Sequence, residues 1–322
     1  MDTFSVLGVG IGCIGVWLLV GGVYTARRSE VTLRDIERWR WRSSKHGFSV
    51  PRNLSLDSMV AFVRAWRRRN TVRNLGLGIG FLTFGTVVTV YNALQLTSKG
   101  GVVEALFQYL GIVLYPALVT CAYLGISRLS RSQRAGGQTT SQRPLRDYRY
   151  VLVPALCISL LLVYVALLIL VMAQLTHSFD PESLAHELAL PDVWGVFFGV
   201  LVMLVAIFAT EVVVRRIVAL PSIPFPPAGG WERIADYVLR NQAIGDCYGV
   251  TWFVLFMAVF VADFPSSSSL IARSGLDGWY QLYVVLLMLA GLVIIFLTQF
   301  MTPSPSPTLV DATPGTSTQP QQ

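Results

Sequence analysis

Glu211 is the only carboxylate well inside a long apolar stretch of the chain, and an acid so placed serves either a substrate or proton pathway or an ion pair. Arg215 follows it by one helical turn, so an i to i+4 pair near the membrane edge is the expected arrangement. His177 and His186, with Asp180, Glu182 and Glu187 close in sequence, contain the donor atoms of a metal site. Their spacing matches no metal-ligand signature, and they are read as solvated loop residues, with no metal assigned. Gly10-Ile11-Gly12-Cys13-Ile14-Gly15 spells the dinucleotide pattern GxGxxG, which requires a strand before it and a helix after it in a soluble unit. Here it lies inside an apolar run and reads as helix packing. There is no GxxxxGK[ST] phosphate loop, and no nucleophile, base and orienting group cluster along the chain. The expectation is therefore a protein without catalytic activity or cofactor.

The elements that hold these residues are set by hydropathy. Apolar residues make up 53% of the 322 positions and charged residues 13%, far from the balance of a globular surface. Seven stretches approach or reach the roughly 17 to 25 residues that a helix needs to cross a bilayer: Phe4 to Tyr24, Leu75 to Leu96, Val102 to Leu124, Val151 to Leu175, Val193 to Val214, Tyr248 to Ala262, and Trp279 to Met301. The sixth is short, bounded by Asp246 and Asp263, and a re-entrant segment is its alternative reading. The first lacks the basic flank of a cleavable signal and is followed by Arg27-Arg28, so it reads as a retained anchor. The expected fold is all-α, a polytopic bundle of seven transmembrane helices over residues 1–302. The tail 303–322, rich in Pro, Ser, Thr and Gln, is expected to be disordered.

Orientation follows from the basic residues, which stay on the cytoplasmic side during insertion. The segments 27–74, 127–150 and 215–247 carry 23 of the 25 Lys and Arg residues, and the opposite loops carry only Lys99 and Arg273. This alternation predicts an outside N-terminus and an inside C-terminus in a plasma membrane. Basic loops beside membrane helices are a product of insertion, so nucleic acid is not expected as a partner. Anionic lipid headgroups are. Lys45 and Lys99 are the only lysines, an arginine bias that suggests a GC-rich, bacterial source. The four cysteines, Cys13, Cys121, Cys157 and Cys247, imply no disulfide framework.

The cytoplasmic segments have patterns of their own. After a Ser55 cap, Leu56, Met59, Val60, Val63 and Trp66 fall on one helical face, predicting a basic amphipathic helix at the membrane surface. A second such helix is predicted from Trp231, with Ile234, Ala235 and Val238 on one side, and Asp180-Pro181 predicts the start of a short outside helix. Pro116 and Pro154 are positions where a helix would kink. Glycines four apart, Gly8 and Gly12, Gly76 and Gly80, Gly195 and Gly199, predict close helix contacts. Gly12 and Gly199 stand at similar distances before Arg27 and Arg215, and the segments that follow carry Arg69-Asn70 and Arg240-Asn241. These matches suggest a parallel repeat of three helices, one linker helix, and three helices; common residues in common places are the alternative.

Seven helices with an outside N-terminus bring G-protein-coupled receptors to mind, but the third stretch ends Ile126-Ser127-Arg128-Leu129 and the seventh has no Asn-Pro-x-x-Tyr. The last stretch also lacks the lysine that holds retinal in microbial rhodopsins. The arrangement of the helices is similar to that of SWEET sugar transporters, without their short loops or Pro-Gln motifs. The stretch Ala235-Asp236-Tyr237-Val238-Leu239-Arg240-Asn241-Gln242-Ala243, with Pro144-Leu145-Arg146-Asp147-Tyr148, resembles segments of uncharacterised multi-pass membrane proteins of high-GC Gram-positive bacteria. That resemblance covers little of the chain and implies no activity. The expected role is a non-enzymatic membrane scaffold or accessory subunit with a membrane protein partner. The alternative is a passive permease for a small neutral solute, drawn from the repeat and from polar residues such as Asn92, Gln108 and Thr251.

Overall fold

The computed structural model describes residues 3–28, 30–37, 55–93, 119–130, 152–178, 180, 191–225, 231–257, 271 and 274–300. Among them there is no strand. The long helices are α1 (Thr3–Arg27), α2 (Leu56–Ala93), α3 (119–130), α4 (Leu152–Ser178), α5 (Pro191–Ala219), α6 (Trp231–Met257) and α7 (Asp277–Phe300). A short helical turn occupies 33–37. The predicted all-helical class is what is observed.

Among the described residues three stretches are long and apolar enough to cross a membrane: Gly8–Arg27 in α1, Val153–His177 in α4 and Asp277–Ile294 in α7. Their outward faces carry large apolar side chains, among them Trp17 and Val20, Leu162 and Ile169, Leu289 and Leu292. Continuous apolar surface of this kind suits lipid rather than water. Residues 94–118, 258–270 and 301–322, which hold parts of four predicted spans and the predicted disordered tail, lie outside the described residues, as does most of the outside segment predicted to start a helix at Asp180.

The closest pairing is between α1 and α2, which run antiparallel. A side chain added at Gly15 would put its Cβ 2.9 Å from the Gly78 carbonyl oxygen, one at Gly78 would reach 2.8 Å from the Leu19 nitrogen, and one at Gly85 would reach 2.6 Å from the Gly8 carbonyl oxygen. The seam therefore runs Gly8, Gly12, Gly15, Leu19, Gly22 against Gly85, Leu82, Gly78, Leu75, in alternating steps of three and four residues. That is the period at which two helices stay in register along a shared seam. Where glycine faces the partner helix the two backbones touch, and dispersion between close-packed atoms replaces the hydrophobic drive that lipid does not supply.

The predicted surface helix at 56–66 takes a different form. Ser55 does cap it, its Oγ accepting from Ser58 N at 3.3 Å, but the segment is the opening of the 38-residue α2, continuous with the predicted second span. Leu56 is exposed, whereas Met59 and Val63 are buried with Phe62 between them, and Val60 and Trp66 pack against the same core. The Phe62 ring lies 6.1 Å from both Phe225 and Trp231. The apolar face is covered by protein and not by headgroups. Burying a Phe in this way contributes about 1.5–3 kcal/mol, which outcompetes a partial immersion in the interface. The second amphipathic segment does start at Trp231, but α6 is buried on every side from Ala235 to Asn241, so it is a central helix. Pro154 lies in the first turn of α4, where no backbone hydrogen bond is lost, and needs no kink; Pro116 lies outside the described residues.

Candidate functional site

Polar groups concentrate where the ends of α1, α3 and α5 meet the starts of α2 and α6. Arg240 on α6 is fully buried and grips Asp236 one turn earlier, Nε to Oδ2 at 3.0 Å. Its two terminal nitrogens donate to the carbonyls of Ile217 and Pro221. Those carbonyls belong to the end of α5 and the chain just beyond it, where helical donors run out; Ile217 also accepts from the Leu220 nitrogen at 3.4 Å, and a cation there suits the helix dipole. Asp236 in turn accepts from the Ile223 nitrogen at 2.9 Å, so the Pro221–Phe225 connection is folded back onto α6. This is the local reason for a charged pair inside an apolar junction: each charge is used several times.

A second tie joins α2 to α6, far apart in sequence. Arg69 of α2, also buried, donates to Asp246 of α6, to Gln242 Oε1 at 2.9 Å and to Asn70 Oδ1 at 3.0 Å. Arg73 reaches the other oxygen of Asp246 at 3.5 Å. A third tie holds the segment after α1. Arg67 donates to the Glu30 carbonyl at 2.7 Å and pairs with Asp35 at 2.5 Å, while Thr32 donates to the same carboxylate from its backbone nitrogen at 2.9 Å and from its hydroxyl. Burial works to raise the Asp35 carboxyl, but the Thr32 and Arg67 hydrogen bonds overcome it and hold the group at about 2.

The predicted Glu211–Arg215 pair forms, at 3.0 Å with both groups partly exposed, and Tyr248 donates to the second Glu211 oxygen at 3.4 Å. Asp35, Glu211, Asp236 and Asp246 thus each have an arginine partner. Carboxylates held in this way act as ties between turns and elements. His177 and Asp180 are exposed at the end of α4, while Glu182, His186 and Glu187 lie outside the described residues. Among the described residues no group of three metal-binding side chains occurs. Thr251 is buried and bonds to Thr210 of α5 and to the Cys247 carbonyl, so it lines a helix contact. Asn92 and Gln108 fall outside the described side chains.

Of the glycines singled out from sequence, Gly8 and Gly12 offer their backbone to the position a Gly85 side chain would take, but a Cβ on Gly12 itself meets open space. A Cβ on Gly76 would come 2.7 Å from Cys121 Cβ on α3. Gly80 and Gly199 are buried on α2 and α5, and the surroundings of Gly195 lie outside the described part. The spacing of four did not pick out Gly15, Gly78 and Gly85, where a side chain would meet the facing backbone. All four cysteines are free. No family model, curated protein or solved structure matches the chain.

Proposed function

We infer that this chain is a non-enzymatic scaffold or accessory subunit of a membrane, with seven spans, an outside N-terminus and an inside C-terminus. The topology is supported by the helix ends that touch. The ends of α1, α3 and α5 and the starts of α2 and α6 carry the mutual contacts Arg67 to Glu30, Gly125 to Arg69, Arg69 to Asp246 and Arg240 to Ile217. Alternating spans bring those ends to one side, and they are the basic ends. The plasma membrane is the site this charge pattern suits.

The observation that supports the functional reading is the pairing of Asp35, Glu211, Asp236 and Asp246 with arginine at that junction. A site that turns over substrate keeps a titratable group poised for it, and here Asp35, Glu211, Asp236 and Asp246 are spent on joining helices. What is left to act is shape: a rigid cytoplasmic junction above lipid-facing helices, suited to holding a second membrane protein. Gentle purification at native expression level, with quantification of co-purifying chains, tests this. A membrane protein recovered in fixed ratio is the expected result. A chain that purifies alone and, in liposomes, equilibrates a small neutral solute would replace this reading by the passive permease. A cysteine at Ser304 that reacts with an impermeant outside reagent in intact cells would overturn the inside C-terminus.

A further inference from the structure

Beside the α1–α2 seam, at its basic end, a recess of about 650 Å³ opens between α1, α2 and α3. Five arginines line it: Arg28 just past α1, Arg64, Arg67 and Arg68 on α2, and Arg128 on α3. No carboxylate is among the described lining residues; Asp35 beside it is contacted by Arg67 at 2.5 Å and by Arg28 at 3.7 Å. Arg64, Arg68 and Arg128 have no ion pair among the described residues. A guanidinium does not shed its proton at any ordinary pH, so the recess holds several like charges at close range. Such an arrangement is unfavourable by itself and favours an anion that enters it.

The recess has other features of a built pocket. Thr25 and Thr71 meet at its wall, hydroxyl to hydroxyl at 3.0 Å. Its volume falls within the range of small-ligand sites, and Gly125 on α3 keeps one wall low. Its depth is also marked. One turn below Arg28, Tyr24 is exposed and its ring lies 5.8 Å from the Arg28 guanidinium, and below that Trp17, Val20 and Val23 face outward. Aromatic residues at the end of an apolar face sit at the headgroup level. The recess is therefore where the phosphates of a leaflet begin.

We propose that this recess binds a phosphate-bearing anion, held by the forked guanidiniums of Arg64, Arg68 and Arg128. Arginine suits phosphate because paired N–H groups match two of its oxygens. The phosphate can belong to an acidic lipid headgroup or to a soluble compound, and both present the same chemistry to the arginines. Occupation joins α2 and α3 at one point, because each contributes a cation, with Arg28 just past α1 beside them. The site goes beyond the scaffold role and does not depend on it.

The purified chain in nanodiscs tests this in separate arms. Phosphatidylcholine discs form the baseline; phosphatidylglycerol added to the discs is the lipid arm; inorganic pyrophosphate added to phosphatidylcholine discs is the soluble arm. The expected result is a rise in melting temperature in at least one arm, and the arm that responds names the source. Arg64→Gln with Arg68→Gln should weaken the responding anion by about fivefold for each arginine removed. The same double variant should melt higher than wild type in the baseline discs, since it relieves repulsion, so misfolding and loss of a site are told apart. Arg216→Gln removes an exposed charge from the end of α5, away from the recess, and should leave the response unchanged. A wild-type chain indifferent to both anions, or an equal loss with Arg216→Gln, would overturn the proposal.

Discussion

The α1–α2 pair and the α5–α6 pair are built to the same outline and secured by different physics. In each, a second helix begins with a charged segment, passes an Arg-Asn pair, Arg69-Asn70 or Arg240-Asn241, and continues into a more apolar half. In each, an arginine of the second helix holds a carbonyl at or beyond the end of the first together with an aspartate. Arg67 holds Glu30 and Asp35, and Arg240 holds Ile217, Pro221 and Asp236. The first pair, however, touches backbone to backbone along the Gly15–Gly78–Gly85 seam, so its clasp is a supplement. The second pair meets through side chains, Thr210 with Thr251 and Glu211 with Tyr248, and its clasp is fully buried. Where the helices have no close backbone seam, the ionic clasp moves inward and its removal should matter more.

The sharpest break is therefore at Arg240. Replacing it by Met leaves Asp236 charged and without its guanidinium in an apolar junction, an arrangement that costs about 3–5 kcal/mol. Arg240→Met should abolish most folded yield in detergent, and adding Asp236→Leu should recover part of it, because removing both charges is far cheaper than removing one. Equal yields for wild type and the single variant would mean that the clasp is not what secures α5 to α6.

The seam of the first pair is tested by which glycine tolerates a methyl group. At Gly85 a Cβ lands 2.6 Å from the Gly8 carbonyl oxygen, and at Gly12 it meets nothing within 4 Å. Gly85→Ala should cost about 1–3 kcal/mol as the helices move apart, read as a fall in melting temperature, while Gly12→Ala should be close to wild type. Equal tolerance at the two positions would remove the seam as the basis of the pairing.

How much of this was legible in the chain follows from the same contrast. Helices, and the apolar stretches within them, are local and were readable from hydropathy. The glycine pattern pointed to the right helices, but a spacing of four within one helix describes one face alone. Which glycine touches depends on the register of two helices, and that register places Gly15, Gly78 and Gly85 at the contact and leaves the Gly12 hydrogen pointing into space. The amphipathic face at 56–66 was also readable, but not what covers it. Arg69 lies one heptad beyond Phe62 on the same face, and a cation continuing an apolar face is a signal for a protein partner carrying an acid. That acid, Asp246, is far away in sequence, and nothing local identifies it. The buried Asn241 side chain has no hydrogen-bond partner among the described groups, whereas its counterpart Asn70 accepts from Arg69; matching residues do not guarantee matching environments.

The smallest effect belongs to the outer clasp, and its dependence on pH separates it from the inner one. The Asp35 carboxyl sits at about 2 in the folded chain, below the ordinary value near 3.9 for a free aspartate. A group whose folded value is depressed adds stability that is fully present above its unfolded value and is lost as pH falls through its folded value. The contribution of Asp35 should thus be complete above about pH 4 and gone by about pH 2. Asp35→Asn keeps the shape and removes the charge, so it should lower stability by about 1 kcal/mol at neutral pH, in line with a charge-assisted contact near the surface. Melting curves for wild type and Asp35→Asn in the same detergent, taken from neutral pH downward, should converge as pH falls between about 4 and 2. The glycine seam still holds α1 to α2 in the variant, so folded yield should remain near wild type, in contrast to Arg240→Met. A difference between the two proteins that stays constant across that range would show that Asp35 acts through packing and not through its charge, and the parallel between the two clasps would then be one of shape only.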